Sequence, residues 1–106
     1  MNFQEYQDKT LEFAIYPADK AIEYLALGLV SEAGEVAGVV KKKLRDNTYS
    51  LEFEQKMVKE LGDVCWYLAR LLDELDLSLE EVLDANISKL SSRKERNQLG
   101  GNGDDR

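Results

Sequence analysis

Between Tyr24 and Val40 the chain carries, besides the tyrosine, only Ser31, Glu32 and Glu35 as polar residues. Ile22, Leu25, Ala26, Leu29, Ala33, Val36, Ala37 and Val40 recur there at helical spacing, and a helix that is apolar on nearly all sides is a buried one. This predicts a long central helix over residues 19–44. It also sets a problem, because carboxylates buried without partners are expensive. A second stretch repeats the pattern: from Glu60 to Leu72 the charged residues are Glu60, Asp63 and Arg70. Each of the two helices therefore carries an acidic pair at i, i+3 that needs cations or some other reason to be there.

The rest of the chain completes an all-α fold. The single proline, Pro17, and glycines set mostly inside apolar stretches leave none of the punctuation of a β-chain. Helices are predicted over residues 2–14, 19–44, 50–73 and 78–96. The first has Phe3, Tyr6, Thr10, Phe13 and Ala14 at helical spacing, and Pro17 ends the loop that follows. Lys41, Lys42 and Lys43 lie where cations favour a helix C-terminus. The polar run Arg45-Asp46-Asn47-Thr48-Tyr49 turns the chain into the third helix. Ser78 caps the fourth while Glu81 reaches back to it, a capping box. Residues 1–96 read as one helical domain and residues 97–106 as a Gly-rich tail. A core of 106 residues is small, and helix 2 is apolar on more sides than three short elements cover, so assembly with further copies is expected.

With roughly 100° of turn per residue, Glu32 lies about 90° and Glu35 about 150° to one side of the apolar stripe of helix 2. On helix 3 the stripe is Met57, Leu61, Val64, Leu68, Leu71 and Leu72, with Glu60 about 80° and Asp63 about 140° off centre in the same rotational sense. Packing the stripes together with the helices antiparallel brings these flanks to one side; a parallel pairing separates them. Measured from the turn, both pairs lie roughly 14 residues, or about 21 Å, along their helices. Four carboxylates then converge, and at low dielectric they repel unless hard divalent cations sit between them. Oxygen-only ligands favour Mg²⁺ or Mn²⁺ over zinc or copper. Mg²⁺ usually completes its shell with waters and substrate phosphates, which makes a polyphosphate the natural substrate.

Composition removes several alternatives. A net charge of −7 and a pI near 4.6 argue against a nucleic-acid polymer or an anionic membrane as partner. With no histidine there is neither a zinc site of the usual kind nor the Glu-x-x-His motif of a di-iron bundle. Cys65 is alone, so no internal disulfide framework exists, and a reducing cytoplasm fits. No signal peptide or spanning segment is legible.

Leu29-Val30-Ser31-Glu32-Ala33-Gly34-Glu35-Val36, followed by Glu60-Leu61-Gly62-Asp63-Val64, resembles the MazG-like family of all-α nucleoside triphosphate pyrophosphohydrolases. The resemblance implies a four-helix bundle with two long antiparallel central helices, assembling as a homodimer or homotetramer. It implies that Glu32, Glu35, Glu60 and Asp63 hold Mg²⁺, for which Mn²⁺ substitutes. It further implies attack of water on the α-phosphorus of a nucleoside or deoxynucleoside triphosphate, giving the monophosphate and pyrophosphate, in nucleotide-pool sanitation or adjustment. Glu32 or Glu35 doubles as the general base. Many relatives have a further glutamate directly before the first motif position, where this chain has Ser31, which leaves the identity of the base open.

Asn86, Lys89 and Arg93 share a strip on helix 4 beside Leu79, Val82, Leu83, Ile87 and Leu90. The strip is either a phosphate or sugar site, as in small members of the family, or an ordinary snorkelling surface. The tail Gly101-x-Gly103-Asp104-x-Arg106 also matches such members; it either folds over bound nucleotide or is disordered, as tails of this composition normally are. Tyr67, one turn after Asp63, is expected to touch the substrate, with a purine deoxynucleotide such as dGTP favoured because larger rings gain more stacking area. Trp66 is expected to point away from the stripe and to serve packing, with a partner subunit as one surface it could meet, and Cys65 to be a small core residue. Glycines inside the helices point to close packing. The competing class is a non-catalytic helical module, binding nucleotide or assembling around a structural metal.

Overall fold

The computed structural model describes residues 1–46 and 51–106. Among these the α-helices are α1 (Phe3–Thr10), α2 (Ala21–Asp46), α3 (Leu51–Glu74) and α4 (Leu79–Glu95), and no strand occurs. The all-α class is thus borne out.

Local chemistry sets the helix ends. Asn2 caps α1 by accepting from the Glu5 amide at 2.8 Å. The first helix is shorter than predicted: it tightens to a 3-10 turn over Leu11–Phe13, and Ala14 is already extended. Leu11 and Phe13 are exposed, so burial rewards no continuation, and Tyr16, directly before Pro17, is disfavoured in α backbone. The capping box forms as expected: Ser78 Oγ accepts from the Glu81 amide at 3.2 Å and Glu81 Oε2 from the Ser78 amide at 2.7 Å. Arg45 and Asp46 belong to α2 instead of a turn. Residues 47–50, which include the rest of that turn and the expected start of helix 3, lie outside the described residues.

The main packing is α2 on α3, with α1 laid across α3 and α4 resting chiefly on α1. Near its start α2 meets the late part of α3, where Gly28 lies against Tyr67: a Cβ on Gly28 would stand 2.0 Å from Tyr67 Cε1. Near its end α2 meets the beginning of α3, where Lys43 Nζ sits 4.7 Å from the Phe53 ring centre. The packing role expected of the helix glycines therefore holds at Gly28; around Gly34, Gly38 and Gly62 there is open space.

The buried apolar set is Ala21, Leu25, Ala69 and Leu72, joined by the polar Gln7, Thr10 and Arg70. Arg70 is 2% exposed. It donates to Tyr16 Oη at 3.2 Å and Thr10 Oγ1 at 3.3 Å, and it pairs with Asp73 at 2.9 Å and Glu74 at 3.8 Å. A buried charge is tolerable only with such multiple partners. Gln7 Nε2 donates to the Leu77 carbonyl at 2.9 Å. Arg70 and Gln7 thus tie α1 and the segment before α2 to α3 and the turn after it.

Two expectations are corrected, for the α2 stripe and for Cys65, and the packing expected of Trp66 is found. Ile22, Ala26, Ala33, Ala37 and Val40 of the expected α2 stripe are exposed, and the inward line is Leu25, Leu29, Glu32 and Val36. Within this chain α3 is the principal cover of α2, and it takes the larger side chains. Cys65 is exposed at an apolar groove that Tyr6 and Leu68 also line. Trp66 is half-buried between Tyr16 and Tyr67, at ring distances of 6.4 and 5.1 Å.

The chain covers little of its apolar surface. It exposes 8036 Å², whereas a compact monomer of this mass exposes about 6,000 Å². Its radius of gyration is 16.8 Å, against about 13 Å for a compact domain of this length. On α4, Leu83, Ile87 and Leu90 remain exposed, as do Leu27 and Val30 on α2 and Val58 and Leu61 on α3.

Candidate metal-binding site

Where α2 crosses the middle of α3, Glu32, Glu60 and Asp63 each offer a carboxylate oxygen within 4.8 Å of the others. Glu32 and Glu60 are half-buried and Asp63 is exposed. The helix period places Glu60 and Asp63 on one flank of α3, and Glu32 is the α2 residue that faces it. Burial pushes the Glu32 carboxyl above its ordinary value, and the charges of Asp63, Glu60 and Glu35 push it the same way. Of the four predicted ligands, three therefore meet directly. Glu35 is exposed and outside the tight group, yet near enough to act on Glu32. It lines, together with Glu60, a groove that runs on between α2 and α3.

The donor set fits a hard divalent cation: oxygen ligands alone, two of them half-buried, all negative, and separated by a span that an ion between them can bridge. Without a cation the same geometry stores like-charge repulsion.

Next to the acids lies an aromatic shelf. Tyr67 rests on Gly28 and feels the charges of Glu32 and Asp63. Tyr24 stands 6.4 Å from Tyr67 and stacks on Tyr16 at 5.6 Å and 13°. Trp66 Nε1 is buried there with no hydrogen-bond partner among the described residues. Tyr67 was legible from its spacing to Asp63. Tyr16 was not, because the segment before α2 carries no period that would tie it to α3, and for the same reason the partners that bury Arg70 against that segment were not.

The α4 strip stands elsewhere in the single chain, on a helix whose main neighbour is α1. Asn86 is exposed. Lys89 Nζ is 3.0 Å from Asp104 Oδ1, and Arg93 Nη2 donates to the same oxygen at 3.2 Å and to the Asp104 carbonyl at 2.5 Å. These cations hold the Asp104 carboxyl below its ordinary value. The guanidinium of Arg106 collects the carbonyls of Gln98, Leu99, Gly100 and Gly103. The tail is thus folded against α4, and Arg93 is buried beneath it, its Nε without a partner among the described residues. The tail's motif residues were legible in the sequence; their use as a clasp on Lys89 and Arg93 was not.

Residues 20–97 match the MazG nucleotide pyrophosphohydrolase domain. The chain belongs to the MazG family. It is similar to the Gene 37 protein of Mycobacterium phage L5, at 41% identity over 114 aligned residues that cover the whole of both chains. It is also similar to the uncharacterized protein YvdC of Bacillus subtilis (strain 168), at 38% identity over 74 residues covering 63% of this chain and 70% of that one. No solved structure matches it. The MazG match spans both acid-bearing helices and α4, so the carboxylate cluster and the α4 strip both lie inside the family's domain. Membership suggests nucleotide pyrophosphohydrolase activity, with a nucleotide as the class of substrate. No helix among the described residues is long and apolar enough to cross a membrane.

Proposed function

We propose that the chain hydrolyses nucleoside or deoxynucleoside triphosphates to the monophosphate and pyrophosphate in the presence of Mg²⁺ or Mn²⁺, with a purine deoxynucleotide such as dGTP preferred. The observation that carries this is the convergence of Glu32, Glu60 and Asp63 within 4.8 Å, in a MazG-family domain. Glu32, Glu60 and Asp63, joined by Glu35, are the cation's ligands, on helices that we take to run antiparallel. When bound, the cation neutralises phosphate charge and makes water more acidic. The water oxygen forms a bond to the α-phosphorus, the bond to the bridging oxygen breaks, and pyrophosphate leaves. A carboxylate of the cluster takes the proton from the water; the exposure of Glu35 beside the cluster supports it in this role. Tyr67 contacts the nucleotide, and Asn86, Lys89 and Arg93 serve phosphate or sugar, the two cations exchanging Asp104 for substrate oxygens. Such a reaction serves nucleotide-pool sanitation or adjustment in the cytoplasm.

The test is incubation of the full chain with single nucleotides and Mg²⁺ in ¹⁸O-labelled water. The label is expected in the monophosphate, with dGTP turned over fastest. Label in pyrophosphate, or release of single phosphates, would refute attack at the α-phosphorus, and intact triphosphate would leave the chain a binding module.

We also propose that the chain works as a homodimer or homotetramer. The excess of about 2,000 Å² over a compact monomer is the scale of a stable interface, and apolar side chains on α2, α3 and α4 supply it. Light scattering at micromolar concentration is expected to give a mass of at least twice 12.1 kDa. A monomer alone would sink the idea.

A further inference from the structure

The guanidinium of Arg70 is almost wholly buried, and taking a charge out of water is costly. Its partners do not depend on it. Asp73 and Glu74 keep 40% and 33% of their side chains exposed. Thr10 Oγ1 donates to the Gln7 carbonyl at 2.6 Å, and Tyr16 Oη donates to Glu74 Oε1 at 2.8 Å. All four would stay solvated or hydrogen-bonded beside an apolar side chain at position 70, and such a side chain is easier to bury. Stability therefore does not account for an arginine at this place. What the guanidinium adds is a fixed position for the groups that it bridges.

Of those groups, Tyr16 is the one that reaches the candidate site. It lies between the 3-10 turns Leu11–Phe13 and Ala18–Lys20, outside any helix, so no helical ladder orients it. Its ring stacks on Tyr24 at 5.6 Å and 13° and meets the edge of Trp66 at 6.4 Å and 90°. Tyr24 in turn stands 6.4 Å from Tyr67, which feels the charges of Glu32 and Asp63. Arg70 Nε, 3.2 Å from the Tyr16 hydroxyl, thus anchors the far end of an aromatic shelf whose near end adjoins the acids. On α3 the same relation appears as Asp63, Tyr67, Arg70 and Glu74, whose i+4, i+3 and i+4 steps keep them on one flank of the helix.

On the basis of the function proposed above, we infer that Arg70 and Tyr16 are positioning residues for the nucleobase: Arg70 holds the Tyr16 hydroxyl, the Tyr16 ring backs Tyr24, and the shelf of Tyr24 and Tyr67 is thereby kept at the tilt on which a base stacks. Both act at a distance from the phosphates and the cation. A ring surface that is ordered in advance loses less freedom when a ligand lands on it. The effect therefore falls on affinity for ligands that carry a base, and the chemical step is left as it was.

The test uses the full chain with Mg²⁺ and two variants. Arg70→Met keeps an unbranched side chain that adapts to the space left, and Tyr16→Phe keeps the ring while removing the hydroxyl. Calorimetric titration with dGMP, which carries the base and is not consumed, is expected to show about a tenfold loss of affinity in each, the scale of one hydrogen bond to a charged group. KM for dGTP should rise by the same factor while kcat changes less than about twofold. Binding of Mg-pyrophosphate, which has no base, should be unchanged. The double variant should lose no more than either single one, since both break the same bond. Gln7→Ala is the control, because it removes the tie to the Leu77 carbonyl at 2.9 Å and leaves the Tyr16 hydroxyl bonded; its dGMP affinity should equal that of the unaltered chain. A loss in Gln7→Ala as large as in the two variants would reduce the effect to general loosening and overturn the inference. So would retained dGMP affinity in Arg70→Met and Tyr16→Phe, losses that add in the double variant, a parallel loss of pyrophosphate binding, or no dGMP binding by the unaltered chain. If the unaltered chain turns over triphosphates and the two variants match it, the positioning role alone fails; if no triphosphate is turned over, the proposed function fails and the inference with it.

Discussion

Asp63→Asn is expected to abolish triphosphate hydrolysis while leaving the helices intact. Losing a partner that merely orients a metal ligand typically costs about 10- to 100-fold in metal affinity or activity, so removing a ligand charge should cost at least about a hundredfold in kcat/KM. The fold should not suffer. Asp63 is exposed, forms among the described residues no hydrogen bond that holds another element, and contributes one of three carboxylates crowded within 4.8 Å. Removing its charge relieves repulsion in the metal-free protein, so the apo form of the variant should melt no earlier than the unaltered chain. Glu60→Gln is expected to behave in the same way. Activity assays paired with circular dichroism decide the matter: a variant that melts early yet keeps full activity per folded molecule would make the carboxylate structural and remove the basis of the metal site.

Gly28→Ala should damage the same region from the other side. Alanine gains about 1 kcal/mol over glycine in a helix interior, so in open space the change would stabilise. Here the new Cβ would lie 2.0 Å from the Tyr67 ring, and the ring has little room to swing because Trp66 stands at 5.1 Å and Tyr24 at 6.4 Å. Overpacking of this kind costs about 1–3 kcal/mol, and an overlap this deep belongs at the upper end. The net expectation is a loss of about 1–2 kcal/mol, or roughly 4–8 °C in Tm per kcal/mol. Tyr67 should also be displaced from Glu32 and Asp63, which raises KM for nucleotide. Combining Gly28→Ala with Tyr67→Ala should recover part of the loss, with a coupling of about 0.5–3 kcal/mol expected for residues in contact. Strict additivity in that cycle, or a more stable Gly28→Ala, would show that the close approach does not exist.

Gly28 also shows why only part of the site was legible. A glycine in an apolar helix signals close packing, but not which ring lies against it. Cys65 was misassigned for a related reason. A helical wheel gives the angle of a side chain about its own axis, whereas burial depends on where neighbouring elements stand. The segment that carries Tyr16 comes close enough for Tyr16 to stand against Trp66, whereas among the described residues α1 leaves an open groove over Cys65.

The sequence by itself determined the class, the caps and the chemistry of the acids. Helical periodicity, the Ser78–Glu81 capping box and the i, i+3 acidic pairs follow from local geometry that every helix shares. The convergence of Glu32 with Glu60 and Asp63 was predictable because two rotational offsets and two distances along the helices agree. Only the tertiary structure decided that Glu35 stands outside the tight group, that Arg70 is buried among Thr10, Tyr16, Asp73 and Glu74, and that Asp104 closes on Lys89 and Arg93. These depend on contacts between residues far apart in the chain, or on a tail that turns back on its helix. No single helix period encodes either, because their energies are settled by which surfaces meet and which charges are thereby removed from water.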